Sequence, residues 1–274
     1  MCHIMKVTRS GYYHYKLHKN DRKRKEEPLE ELIRKLFFKS RCTYGVRRMK
    51  KALVNEGEKV DRDKIGRIMT KLKLVPKTIK KYKAITNSKH NLPIHPNLIK
   101  GVLIYQPNQV WVSDITYIKT EEGWLYLAAV MDLFTKEVVG YAMSERITRD
   151  IVIGALLMAN ARFNPPDGII LHSDRGVQYA SNEYQELLKD NKMICSMSAK
   201  GNPYENGAME SFNATIKKEL IYPNGIYKTR AEARKEIFEY IELFYNKERL
   251  HSSIDYQTPY SFRILQLEMK KQYC

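Results

Sequence analysis

The chain has 274 residues, of which 43% are hydrophobic, and a formal net charge of +17 at pH 7. That composition supplies a core for one large domain or two small ones, which excludes a disordered chain. No apolar run reaches the roughly eighteen residues of a membrane span, the N-terminal stretch lacks a signal peptide, and the four cysteines form no CxxC pair. We therefore expect a cytoplasmic protein with no membrane partner, no disulfide framework and no cysteine zinc site.

The positive charge is concentrated in the first hundred residues, which hold 28 Lys and Arg against 9 Asp and Glu, whereas the remainder holds 20 against 22. Each Lys or Arg that docks on DNA releases a condensed counterion, so a basic segment of this size is typical of a protein that neutralises a phosphate backbone. Nucleic acid is the predicted partner. The alternative is a solubilising charged surface, although such surfaces usually mix both signs.

Three helices are predicted within residues 1–75. Apolar residues at helical spacing indicate a helix over 29–39, a second over 46–55 that ends near Gly57, and a third that follows an Asp61 cap and stops before Pro76. A tight turn between the last two favours a helix-turn-helix region. The alternative is a helical bundle that only braces the next domain. The polar face of the third helix supplies the candidate DNA-binding residues Arg62, Lys64, Arg67 and Lys71.

Residues 76–107 lack periodicity and are predicted to be a basic linker. Within it, His90 and His95 have the spacing of half a zinc site, which no further ligand pair completes. Residues 108–264 then show three β-rich runs with short turns, followed by helix, strand, helix and strand. This order predicts an α/β domain with a mixed sheet flanked by helices, and residues 265–274 are predicted to be a C-terminal tail.

Three carboxylates stand out in this domain. Asp114 lies inside the first strand among apolar residues, where a carboxylate is costly to bury unless it pairs with Arg or Lys or binds a cation. Asp174 follows a buried strand, GIILHS, at the end that faces a cleft. Glu210 lies off the apolar stripe of a later helix, with Lys217 two turns further on the same face. A plain solvated helix face is the alternative for this last pair.

The motifs WVSDITYI, HSDRGVQYAS and MSAKGNPYENGAMESF, with 35 residues between Asp174 and Glu210, resemble the D,D(35)E core of IS3-family insertion-sequence transposases and retroviral-type integrases. The resemblance extends to YNKERLHSSIDYQTP near the C-terminus and to SGYY and YGVRRM near the N-terminus, which adds Arg47 and Arg48 to the candidate DNA-binding residues. It implies a ribonuclease-H-like fold preceded by a small all-α helix-turn-helix region.

The resemblance implies a DNA transposase. Asp114, Asp174 and Glu210 would hold two Mg²⁺ ions, or Mn²⁺ as a substitute, for in-line phosphoryl transfer. Cleavage at the element's ends would free a 3′-hydroxyl that joins a second strand. Lys217 would contact DNA near the scissile phosphate, and residues in the matching motifs would position phosphates or orient the carboxylates: His172, Arg175, Asn202 and Asn206.

The same resemblance implies partners: double-stranded DNA at the element's ends and at the target, further copies of the chain, and an upstream-frame protein or fusion portion. The bacterial nucleoid is the expected location. Two rival functions stay open at this level. One is a metal-dependent nuclease that hydrolyses DNA without joining it, and the other is a DNA-binding regulator of transposition that cuts nothing.

Overall fold

The computed structural model describes residues 6–77, 95–199 and 206–272, and the chain divides into two compact units, Met1–Lys77 and Thr78–Cys274. The first unit is built from three helices: α1 (Arg9–Lys39), α2 (Val46–Asn55) and α3 (Arg62–Lys71). Their buried faces carry the predicted apolar positions, among them Ile33, Leu53 and Ile65. The Asp61 side chain accepts a hydrogen bond from the backbone N–H of Asp63 and so caps α3 as expected.

Helix α1 is longer than its periodicity predicts, because it begins at Arg9 rather than near Leu29. Pro28 lies inside it, where the missing N–H costs one hydrogen bond of the helix. The Thr8 side chain caps the N-terminus by accepting from the Gly11 N–H at 3.1 Å. The charged stretch before Pro28 carries no apolar stripe, so periodicity alone gave no signal for this part of the helix.

A five-stranded sheet forms the centre of the second unit, in the order β3-β2-β1-β4-β5. The three strands β1 (Val110–Thr120), β2 (Gly123–Asp132) and β3 (Val138–Ser144) are antiparallel. Strand β4 (Ile170–Ser173) pairs with β1 in parallel, and β5 (Ile194–Met197) pairs with β4 in parallel. The predicted chain order and the mixed sheet are both observed.

Helices cover both faces of this sheet. On one face, α4 (Arg149–Phe163) and α5 (Asn182–Asp190) pack over a core that includes Trp111 and Leu171. On the other face, α6 (Gly207–Ile216) and α8 (Arg230–Glu239) pack over a core that includes Val112. In the described part of the chain, no helix combines the length and the apolar character needed to cross a bilayer.

Two helices of this unit widen into π-helical segments, which no local sequence pattern predicted. Helix α6 continues as Lys217–Ile221 and then the short α7 (Tyr222–Asn224), and α8 continues as Tyr240–Tyr245. A 3₁₀ turn, Ser252–Ile254, precedes α9 (Pro259–Gln272). Helix α9 runs across residue 265, at which the predicted C-terminal tail begins. Leu98 of the predicted linker donates its backbone N–H to Ser196 of β5. The predicted domain boundaries stay a prediction.

Gly140 of β3 sets how closely α4 approaches the sheet. A Cβ at this position would lie 2.3 Å from the Ala155 carbonyl oxygen and 2.6 Å from the Ala159 backbone nitrogen, so the helix would have to move. We expect Gly140→Ala to lower the unfolding free energy by about 1 to 3 kcal/mol, as overpacking does. Thermal melting would measure it, with Gly207→Ala as the control, because a Cβ at Gly207 meets nothing within 4 Å.

Candidate active site

The register of the sheet brings Asp114 and Asp174 side by side. Strands β1 and β4 are parallel neighbours, and Val112 pairs with His172 in their register. Asp114 and Asp174 each lie two residues beyond this pair, and adjacent strands are about 5 Å apart. Asp174 follows the last residue of β4, and its Oδ1 accepts from the Gly176 N–H at 2.8 Å. The backbone pairing of β1 and β4 therefore holds two carboxylates next to each other, where β4 ends.

Helix α6 joins this pair because it is hydrogen-bonded to β1. The Asn206 side-chain amide donates to the Ser113 carbonyl at 3.1 Å, and the Asn213 amide donates to Asp114 Oδ2 at 2.8 Å. Met209 and Phe212 are buried in the core beneath the helix, which turns Glu210 outward, where it is exposed. The helix thus presents a third carboxylate beside the strand that carries Asp114.

Burial, together with the neighbouring acids, raises the pKa of Asp114 to about 7 from an ordinary value of 3.8. Burial is the largest cause, and the negative charge of Asp174 is the next; the Ile115 N–H bond opposes them, Glu210 adds to them, and the positive charge of Lys217 opposes them. Lys217 therefore does not neutralise Asp114. The sequence left two alternatives open for Asp114, a basic partner or a bound cation. Lys217 does not compensate the negative charge of this carboxylate, whereas a bound cation would.

Lys217 lies at the end of α6, where its ammonium group is half-buried. Its Nζ is 4.4 Å from the centroid of the Tyr117 ring. Burial lowers the pKa of Lys217, and the charge of Asp114 raises it in part. The favourable cation–π contact holds the ammonium in place beside the carboxylates. This is the location that a group binding a DNA phosphate needs.

The unfolding free energy of the metal-free chain should fall as the pH rises from about 4 to about 7. Folded Asp114 binds its proton more tightly than the unfolded chain does, so deprotonation in this window disfavours the folded state, by on the order of a few kcal/mol at most. Above about pH 7 this contribution is constant. Chemical denaturation in chelator across this range would measure the fall, and Asp114→Asn should reduce it. An identical pH dependence in the two proteins would contradict the raised pKa.

The donor set fits a hard divalent cation. All three candidate ligands are carboxylates, and two of them repel each other in a partly buried position. Among residues 6–77, 95–199 and 206–272, no three His, Cys, Asp or Glu side chains converge closely enough to hold a metal by themselves. Mg²⁺ is usually bound by one or two carboxylates together with water and substrate phosphates, and Asp114 and Asp174 supply two neighbouring carboxylates.

Three further residues predicted around the carboxylates belong to the described part of the chain: His172, Arg175 and Asn206. His172 is fully buried, and its Nδ1 shares a hydrogen bond of 2.9 Å with Ser196 Oγ. Arg175 donates through Nε to the Ser198 carbonyl at 2.7 Å. Neither His172 nor the buried Asn206 is exposed to a DNA strand in this conformation, and their contacts favour an orienting role. Asn202 lies outside the described residues.

In the N-terminal unit, Arg62 and Arg67 are exposed and line a shallow groove with Val46, Gly66 and Thr70. Of the other predicted DNA-binding residues, Arg47 is exposed, Lys64 is half-exposed, and the Arg48 guanidinium lies 6.0 Å from the Tyr44 ring centroid. Lys71 forms an ion pair with Glu30 of α1.

Asn213 is the site residue that the sequence analysis missed. Its amide orients Asp114, and its Oδ1 is buried with no hydrogen-bond partner among the described residues. Asn213 follows Glu210 by three residues, which is one helical turn, and this spacing was the signal available in the sequence. An asparagine at that spacing is too common to be informative without the strand beside it.

Comparison with known proteins agrees with this architecture. Residues 104–203 match the family model described as Integrase core domain, residues 191–259 match a second model of the same description, and residues 23–82 match one described as HTH-like domain. A chain of the HTLV-2 integrase catalytic core domain in complex with magnesium has a TM-score of 0.44 and 21% identity, covering 58% of this chain and 97% of that one. The family matches confirm the predicted ribonuclease-H-like domain behind a helix-turn-helix region.

Two curated relatives extend over nearly the whole chain. An insertion element IS600 protein of 31 kDa from Shigella sonnei is 44% identical over 265 residues, covering 96% of this chain and 97% of the relative. Transposase InsF for insertion sequence IS3A of Escherichia coli (strain K12) is 36% identical over 256 residues, covering 92% and 88%. At this identity and coverage, the chain belongs to the IS3 family of insertion-sequence transposases.

Proposed function

We propose that Asp114, Asp174 and Glu210 hold the divalent metal ions with which this transposase cuts DNA at the ends of its element and joins the freed 3′-hydroxyl to a second strand. The observation that carries the proposal is the proximity of Asp114 and Asp174, each two residues beyond the Val112–His172 pair of adjacent parallel strands, with a negative charge that Lys217 does not balance. Two Mg²⁺ ions, or Mn²⁺ in their place, would activate the attacking oxygen and stabilise the leaving one.

The chain's own residues bind and orient the DNA around these carboxylates. Lys217 lies beside Asp114 and is proposed to bind a phosphate oxygen next to the scissile bond, which fixes the strand for in-line attack. Asn213 holds the Asp114 carboxylate through Oδ2. His172, Arg175 and Asn206 keep β4, β5 and α6 in place, and Asn202 is proposed to contact DNA from the segment before α6.

The N-terminal unit is proposed to hold the DNA duplex. Its predicted DNA-binding residues lie on α2 and α3, and a helix-turn-helix presents its last helix to a groove of DNA. Phosphate contacts by lysine and arginine would give this binding a steep dependence on salt. The residues concerned are Arg47, Arg48, Arg62, Lys64, Arg67 and Lys71.

Joining two element ends requires two sites of cleavage in one complex, so we propose that the chain acts as a homo-multimer. Recognition of the terminal sequences is proposed to involve an upstream-frame protein or a fusion with it. Both proposals predict slower joining by the chain alone at low protein concentration, and faster joining when the upstream product is added.

The test incubates the purified chain with labelled DNA that carries the element's ends, with Mg²⁺, Mn²⁺ or chelator, beside Glu210→Gln. Products are resolved by size. Metal-dependent cleavage and joined strands that disappear in the variant would support the proposal. Cleaved ends without joined strands would establish a nuclease instead. Equal products from both proteins would remove Glu210 from the site, and binding without any product, even with the upstream product added, would favour a regulator.

A further inference from the structure

An exposed pair of aromatic rings lies next to the proposed active site. Tyr117 of β1 and Trp124 of β2 are 42% and 45% exposed, although large aromatic side chains are usually well buried. Their ring centroids are 5.3 Å apart with perpendicular planes, so the edge of one ring meets the face of the other. This contact leaves much of both rings open to solvent, and we name the two residues the aromatic pair.

The backbone beneath the aromatic pair is held firmly. The β1–β2 turn closes through a hydrogen bond of 2.8 Å from Thr120 Oγ1 to the Gly123 carbonyl. Arg230 of α8 donates to the Trp124 carbonyl at 3.2 Å and forms an ion pair with Glu145 at 3.0 Å. The two rings therefore project from a braced hairpin, and binding a ligand there would cost little ordering of the backbone.

Two lysine side chains lie beside the aromatic pair, and the turn that joins its two strands carries the exposed Glu121 and Glu122. Lys119 faces Trp124 directly across the two strands, and it shares a face with Tyr117 because side chains two residues apart lie on the same side of a strand. Lys217 lies over the Tyr117 ring at 4.4 Å, and its charge also acts on Asp114. Tyr117 follows Asp114 by three residues, about 10 Å along the strand, and this odd spacing directs the two side chains to opposite faces of the sheet. Lys217, which contacts the Tyr117 ring and whose charge acts on Asp114, connects the aromatic pair with the proposed point of cleavage.

We propose that the aromatic pair is a stacking site for an unpaired base of the DNA strand that the enzyme cuts. The inference rests on the proposed function, because that function places the scissile phosphate beside Lys217. Exposed aromatic rings flanked by lysines are the combination that binds single-stranded nucleic acid: the rings stack on bases while the ammonium groups contact phosphates. A paired base keeps its faces covered inside the duplex, so only a base that has left the stack can use the site.

This site would help to open the end of the element. Unstacking and unpairing a base costs a few kcal/mol, and stacking on an aromatic side chain returns about 1 to 3 kcal/mol per base. The strand leaving the duplex at the aromatic pair would then be directed to Lys217 and the carboxylates. An apolar protein partner suits the surface less well, because it would have to bury Lys119 and Lys217 without opposite charges.

The test measures binding in chelator, so that no DNA is cut. Two labelled duplexes of one sequence are compared by fluorescence anisotropy, one fully paired and one with mismatched terminal base pairs. We expect the wild-type chain to bind the mismatched end about tenfold more tightly. Tyr117→Ala and Trp124→Ala should lose this preference, whereas Trp124→Phe should keep most of it. Tyr105→Ala, which removes another exposed tyrosine of the same unit, is the control.

Using the ratio of the two affinities cancels the contribution of the N-terminal unit, which contacts both duplexes alike. Equal affinities in the wild-type chain, or a preference that survives both alanine variants, would overturn the inference. A loss of the preference in Tyr105→Ala as well would also overturn it. The binding measurement requires no DNA cleavage. A catalytically inactive chain can therefore still prefer the mismatched duplex, and an active chain can bind both duplexes equally. Failure here is therefore distinct from failure of the proposed function.

Trp124 also supplies an unlabelled readout. The chain has two tryptophans, and Trp111 is fully buried with its indole N–H bonded to Asn108. Single-stranded oligothymidylate should therefore quench the emission of Trp124, and the quenching should disappear in Trp124→Phe. Unchanged emission at saturating oligothymidylate would contradict stacking on this ring.

Discussion

Asp114→Asn is expected to lower the rate of DNA cleavage by at least about a thousandfold while leaving the chain folded. The substitution keeps the size of the side chain and removes the central negative charge of the three proposed ligands. A thousandfold loss corresponds to about 4 kcal/mol in the barrier, which is the several kcal/mol that bound metal ions supply to a developing charge. The rate of strand release from labelled DNA at saturating Mg²⁺ is the measurement.

The same variant should be more stable than the wild-type chain when no metal is present above about pH 7. Burial and the charge of Asp174 make the ionised Asp114 costly in that state, and the amide carries no charge. Mg²⁺ should stabilise the wild-type chain and have less effect on the variant. Loss of activity together with a gain in metal-free stability distinguishes a ligand from a residue that merely supports the fold. A variant that is both inactive and unfolded would be uninformative about metal, so Asp174→Asn should be measured in parallel and should behave alike.

The control for both measurements is Glu186→Gln, which neutralises an exposed carboxylate on α5. It should change neither the cleavage rate nor the response to Mg²⁺. If Glu186→Gln loses activity as Asp114→Asn does, the effect comes from net charge and not from the proposed site.

Arg249→Met is expected to lower the unfolding free energy by about 3 to 5 kcal/mol, as loss of one partner from a buried ion pair does. Arg249 donates through Nε and Nη2 to the two oxygens of Glu219, each at 2.8 Å, and Tyr240 donates its hydroxyl to the same carboxylate at 2.8 Å. Both charged side chains are buried. Removing the guanidinium leaves the Glu219 carboxylate uncompensated away from water, which is the cause of the loss.

Chemical denaturation gives the free energy, and thermal melting should show a fall in Tm of about 10 °C for a domain of this size. The double variant Glu219→Met with Arg249→Met should recover part of the loss, because neither charge is then left alone. Asp167→Asn is the matched control, because the ion pair between Asp167 and Lys192 has a similar length but both side chains are about 70% exposed. This substitution should lower the unfolding free energy by less than about 1 kcal/mol. If the double variant lost as much unfolding free energy as the two single variants together, the ion pair between Glu219 and Arg249 would be contradicted.

This ion pair also explains the motif YNKERLHSS, which the sequence analysis identified by resemblance alone. Glu219 belongs to the π-helical segment that begins at Lys217, and Arg249 lies in the motif. Asn246 of the same motif accepts the Val138 N–H and donates to the Val138 carbonyl, both at 3.0 Å, so it continues the hydrogen bonding of edge strand β3. The motif therefore braces the sheet and the segment that carries Lys217.

The sequence by itself determined the elements whose signals are local. Apolar periodicity predicted the bounds of α2 and the start of α3 after Asp61, β-branched runs predicted five strands, and the concentration of charge predicted a DNA-binding N-terminal region. The position of Asp174 at a strand end and of Glu210 off an apolar stripe could be read in the same way, because each depends on which neighbours within a few residues are buried.

The tertiary structure alone decided what depends on residues far apart in the chain. The β1–β4 register brings Asp114 close to Asp174, about sixty positions further along the chain, and the α6–β1 contact brings in Asn213 and Lys217. The π-helical segments, the burial of His172 and the Arg249–Glu219 pair likewise follow from packing between distant segments. Local sequence patterns indicate only which face of a helix or strand is apolar. Packing between distant segments decides which faces contact each other, and it therefore also decides the burial and neighbouring charges that set the pKa of a carboxylate.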